Sequence, residues 1–94
     1  MATFFMFGTY GKDSLKGISA ARTKEAEALI KKLGGRLTSA YGLLGEKDLV
    51  LIVDLPGAEE LTKASIGLAR LTGISFSSMQ AIPVDQFDKL VSEI

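Results

Sequence analysis

The longest unbroken apolar run of the chain is Leu49 to Val53, set between Asp48 and Asp54. A short apolar run bounded by turn residues reads as a buried strand, here Asp48 to Leu55. Gly45-Glu46-Lys47-Asp48 in front of it reads as a hairpin corner. Thr3 to Tyr10, TFFMFGTY, is aromatic and Thr-rich and predicts a first strand, with Phe4 and Met6 on one face and Phe5 and Phe7 on the other. Gly11 to Gly17 predicts a loop or single helical turn that tucks Leu15 and Ile18 inward. Ser19 can cap a helix running to about Leu33, whose stripe is Ala26, Leu29, Ile30 and Leu33 and whose stop is Gly34-Gly35. Arg36 to Leu44 reads as the second strand. Pro56-Gly57 opens a second helix, about Ala58 to Leu71, with Leu61, Ala64, Leu68 and Leu71 inward and Ile66 on its polar side. Ile74 to Ile82 is the fourth strand, closed by Pro83, and Asp85 is placed to cap a terminal helix carrying Phe87, Leu90 and Val91.

The resulting order, β-α-β-β-α-β plus a C-terminal helix over residues 1–94, is the split βαβ pattern of ferredoxin-like α+β folds. Two helices cover one face of such an antiparallel sheet, and a wet second face should alternate apolar with polar residues. Phe4 to Phe7 and Leu49 to Val53 do not alternate. Their second faces need a cover, since a patch of that size is rarely left in water. A two-fold dimer packing sheet against sheet supplies one. A monomer would need its terminal helix folded over that face.

Composition narrows the chemistry. Hydrophobic residues make up 47% and charged residues 23%, an ordinary globular balance. Eleven basic and eleven acidic side chains cancel, and no basic cluster marks a nucleic-acid surface. Without cysteine or histidine there are no disulfides, no thiol nucleophiles and no imidazole base or ligand. No cofactor and no metal are expected, and no calcium-loop spacing occurs. No stretch approaches a membrane span and no basic leader precedes Thr3, so the expected location is cytoplasmic. The spacing of Gly8, Gly11 and Gly17 fits neither a P-loop nor a dinucleotide fingerprint.

With these elements placed, the chain resembles the GYD-domain family, named for a Gly-x-Tyr-Asp motif at this hairpin. The likeness runs through Thr3, Gly8 and Tyr10, the Ser19 to Arg22 helix start, Leu33-Gly34-Gly35-Arg36-Leu37, Tyr41, Leu44 to Asp48 with the aliphatic strand after it, and Ile82 and Phe87. The resemblance implies a ferredoxin-like, dimeric α+β barrel and carries no activity with it. Lys47 stands where the family has Tyr, which removes a phenolic contact at the corner. Ala20 stands where a Pro often opens the first helix.

Five residues are candidates for ligand binding: Tyr10, Arg22, Tyr41, Glu46 and Asp48. Arg22 lies on the apolar stripe of the first helix, where a guanidinium needs a partner. Either the side chain snorkels to water, or it pairs with a structural carboxylate (Asp48, Glu25 or Asp54), or it clamps the anionic group of a ligand. Asp48 and Glu46 are two residues apart, which admits paired-carboxylate catalysis or, for Asp48, backbone hydrogen bonds that fix the corner. Tyr10 and Tyr41 end strands near loops; they either pack as core aromatics with a wet hydroxyl tip or, with Phe5 and Phe7, line a ligand cavity between sheet and helices. The reading that follows is a homodimer binding a small apolar or aromatic carboxylate. The alternatives are a metal-free enzyme, either an isomerase or a cofactor-free oxygenase, and a regulatory or assembly module.

Overall fold

The computed structural model describes residues 1–94. The elements run β1 (Ala2–Thr9), α1 (Lys12–Lys16), α2 (Ala20–Lys32), β2 (Arg36–Gly42), β3 (Leu49–Leu55), α3 (Ala58–Thr72), β4 (Ser75–Ala81) and α4 (Val84–Ser92). The four strands form one antiparallel sheet in the order β2-β3-β1-β4. This is the predicted β-α-β-β-α-β order, and the apolar run at Leu49 occupies a central strand.

The sheet has two unlike faces. Phe4, Met6, Leu51, Val53 and Leu55 point to the side covered by α2 and α3, where they meet Ala26, Ile30, Ala64 and Leu68 in a single buried cluster. In α2 and α3 the apolar residues recur at helical spacing, so each helix turns one stripe toward this core. Ser19 begins α2 by accepting a hydrogen bond from the Arg22 amide at 3.1 Å. Gly73, in the left-handed region at φ 76°, ends α3. Gly8 lies on the same face as Met6, and the Phe76 ring and Ile74 fill the room its missing side chain leaves.

The other face carries Phe5 and Phe7, their ring centroids 6.4 Å apart, beside Val50, Ile52, Tyr41 and Met79. No helix of the chain covers it. Tyr41 is 57% exposed and Met79 58% exposed. The terminal helix does not fold back over these groups, since none of its residues is buried.

Three local expectations need correction. Leu15 and Ile18 are exposed, and the buried residue of α1 is Ser14. The Ser14 hydroxyl accepts from the Gly11 amide at 2.6 Å and donates to the Gly11 carbonyl at 3.0 Å. That exchange turns the polar side of α1 inward. Asp85 does not cap α4, which starts one residue earlier, after Pro83. Its carboxylate accepts from the Gln86 amide at 2.9 Å inside the first turn. Strand β2 ends at Gly42 rather than Leu44. The connection to β3 is therefore a loop, closed by the Leu43 amide donating to the Asp48 carbonyl at 2.8 Å.

The open face holds the only ion pair, Arg36 Nε to Asp54 at 3.3 Å, with the Thr3 hydroxyl donating to the same carboxylate at 2.7 Å. The Thr3 bond and then Arg36 hold the Asp54 carboxyl below its ordinary range, against the opposing effect of partial burial. A depressed folded value stabilises the protein above the unfolded value of about 3.9. That contribution is lost as pH falls below about 4 and through the folded value. Arg36 is largely exposed, so the effect is small, about 1 kcal/mol or less. Urea denaturation of Asp54→Asn beside the parent should show a deficit at pH 6 that shrinks by pH 3. A deficit independent of pH would assign the loss to packing.

Candidate functional site

A cleft of about 80 Å³ opens between the first turns of α2 and the helix-side face of the sheet. Its wall and floor are apolar: Ala26, Leu37, Leu51, Leu68, Ile74 and Phe76. The polar groups come from Tyr10, Ser19, Arg22, Thr23 and Thr72. A mainly apolar recess with a few convergent polar groups is the usual form of a small-molecule site.

Arg22 is half-buried here. Its Nη1 donates to the Ser14 carbonyl, and its guanidinium carbon sits 5.8 Å from the centroid of the Tyr10 ring, within cation–π range. Gly17 passes so close that a Cβ there would lie 2.8 Å from Nη1. None of the three expected carboxylates reaches Arg22. Asp54 is engaged by Thr3 and Arg36, and Glu25 is exposed. Asp48 accepts from the Tyr10 amide at 2.9 Å, while its own amide donates to the Gly8 carbonyl at 3.0 Å. Asp48 thus ties the β2–β3 loop to the end of β1, the structural role that its place at the corner allowed.

Of the five candidates, the structure brings Tyr10 and Arg22 together in the cleft, with Asp48 bonded to the Tyr10 backbone behind it. Tyr41 and Glu46 are elsewhere. Glu46 is exposed in the β2–β3 loop, so the expected carboxylate pairing has one member held by backbone and the other in solvent. Tyr41 pairs with Val50 on the open face. Phe5 and Phe7 are also on that face, so the cavity expected to hold all four aromatic residues does not form. Thr72 and Phe76 line the cleft without having been singled out, and Ile18, expected inward, lies at its mouth while 54% exposed. Thr72 was within reach of sequence, since it lies four residues beyond Leu68 on the same helical stripe.

An antiparallel four-stranded sheet in this order, with α2 and α3 packed on one face, defines a ferredoxin-like α+β domain. The chain belongs to the GYD domain family, whose model matches residues 4–91. Among solved structures, the chain is similar to the leucine response regulatory protein LrpA of Mycobacterium tuberculosis. The TM-score is 0.58 at 16% identity, over 86% of this chain and 50% of that one. It is likewise similar to a glycine-to-threonine mutant of Rv3291c, with TM-score 0.58 and 16% identity over 87% of this chain and 50% of the other. At such identities the likeness establishes the fold, and the chain spans about half the length of these proteins. A comparison with curated proteins returns no match. No helix is long and apolar enough to cross a membrane.

Proposed function

We propose that this domain is a cytoplasmic homodimer that binds a small apolar or aromatic carboxylate in the cleft between α2 and the sheet, with Arg22 as the anchor. The observation that carries the reading is a guanidinium at an apolar cleft with no acidic partner. Arg22 also lies in the first turn of α2, which contains no acidic residue. The helix macrodipole is positive there, so a cation is disfavoured and an incoming anion offsets both charges. Tyr10 supplies an aromatic face beside the anchor, and the Leu51, Leu68 and Phe76 side chains supply an apolar bed. The dimer is supported by the bare open face, where Phe5, Phe7, Ile52 and Met79 have no cover within the chain.

A thermal-shift and calorimetric comparison of benzoate and hexanoate with their amides tests the cleft. The carboxylates should bind and the isosteric amides should not. Arg22→Gln should weaken carboxylate binding by about 10- to 100-fold, the scale of a lost charge-assisted pair, and Arg22→Lys should recover part of it. If Arg22→Gln loses stability with its carboxylate affinity unchanged, the residue is only a tether for Ser14 and the site lies elsewhere.

A regulatory module is the second reading. It is favoured by the likeness to LrpA, a protein named for a leucine response. Leucine carries both a carboxylate and an apolar body, the two features the cleft is suited to hold.

A further inference from the structure

The α4 helix is amphipathic and has nothing to pack against. Val84, Phe87, Leu90 and Val91 recur along one side of it, and every one of them is exposed, Phe87 by 54%. Asp85, Asp88, Lys89 and Glu93 take the other side. A terminal helix of this length made only for solvent has no need of such a stripe.

The size of the molecule shows how much surface is waiting for a partner. A compact 10.0 kDa monomer exposes about 5,200 Å², whereas this chain exposes 6357 Å². Its radius of gyration is 14.2 Å against about 12.4 Å for a compact chain of 94 residues. The excess is about 1,100 Å² per copy, or about 2,200 Å² when two copies bury it mutually, which is what a stable dimer needs. The chain carries both halves of such an interface, the α4 stripe and the open sheet face. A notch of about 280 Å³ at the root of α4, lined by Phe5, Ile82 and Val84 among others, makes the two continuous.

We propose that α4 is an exchanged clasp: in the dimer, its Phe87, Leu90 and Val91 side packs on the second copy of this chain and not on its own sheet. The inference rests on the dimer proposed above and adds to it the element that closes the assembly. Two-fold symmetry buries both α4 stripes in one step, because each copy offers the same helix and receives the other's. The extended connection at Pro83, φ −54° and ψ 141°, sends the helix off the end of β4 and away from the chain's own core.

Sedimentation equilibrium on the full chain and on Phe87→Asp and Leu90→Asp provides the test. Both side chains are already exposed in the single copy, so these variants should keep their fold, checked by circular dichroism. The parent should run as a dimer, and either variant should raise the dimer Kd at least 30-fold, the scale of a lost interface anchor. A dimeric parent whose variants keep the same Kd would overturn the clasp and leave the sheet-to-sheet dimer standing. A parent monomeric at every concentration would overturn both.

A second measurement separates exchange from packing within one copy. The chain has no cysteine, so a nitroxide at Ser92→Cys is unique. Mixed with unlabelled-spin, ¹⁵N-enriched parent, it should broaden the parent's amide signals at Phe5, Phe7 and Ile52. Broadening absent from the parent's sheet would show that α4 stays with its own chain.

Discussion

Gly35→Ala is expected to destabilise the protein by about 3 kcal/mol or more, the upper end of overpacking costs. A Cβ at this position would lie 2.1 Å from the Asp54 carbonyl oxygen and 2.6 Å from a Leu55 methyl. The first of these atoms is backbone in a central strand. It moves only if β3 moves, and β3 is paired on both sides, to β1 and to β2. Gly34 just before it is already in the left-handed region at φ 86°, so the turn out of α2 has little slack to absorb a shift. Gly35 therefore lets the α2–β2 connection lie directly on the sheet. In urea denaturation the midpoint should fall by about 3 M with an unchanged slope, taking a slope of about 1 kcal/mol/M for a chain of this size. A midpoint within about 0.5 M of the parent would mean that the connection hinges away from β3 at little cost.

The glycine pair was legible in the sequence as a helix stop, but its second role was not. Close backbone approach depends on where another strand runs, which no local pattern encodes. The same limit explains the misplaced aromatic residues. Alternation correctly separated Phe4 and Met6 from Phe5 and Phe7, yet both sets are bulky, so residue type alone could not say which face held the helices. Gly8 shares parity with Phe4 and Met6 and is packed over by Phe76 and Ile74, which marks that face only after the fold is known.

Tyr41 was turned by something subtler. Leu37 faces the helices, and simple alternation would carry Ser39 and Tyr41 to the same side. A bulge between Leu37 and Ser39 inserts one residue, after which Ala40 and Gly42 point to the helices and Tyr41 to the open face. A shift of one residue exchanges the two faces of a strand. Thr38, whose hydroxyl donates to the Ile52 carbonyl at 2.8 Å, marks the spot. By contrast α2, β3 and most of α3 were readable, because their apolar spacing and the core they build agree; Leu71, expected inward at the end of the α3 stripe, is 43% exposed.

Leu68→Ala should cost about 2 to 3 kcal/mol of stability and, at the same time, change what the cleft accepts. Leu68 is fully buried, belongs to the central cluster, and also forms part of the cleft wall. A large-to-small change in a sealed core leaves a void whose cost grows with its volume. Here the space left by the side chain joins a recess that already opens to solvent, so the loss should fall at the lower end of the usual range. A ligand that fills the enlarged recess should return part of it by binding only the folded state. Carboxylates with a bulkier apolar body, such as naphthoate in place of benzoate, should therefore gain on the variant relative to the parent, while Arg22 keeps its hold on the charged end. The check is the ratio of the two affinities in parent and variant, together with the midpoint shift each ligand produces. An unchanged ratio with the stability loss intact would place the apolar end of the ligand away from Leu68. The recess beside Arg22 would then be core packing rather than a binding bed.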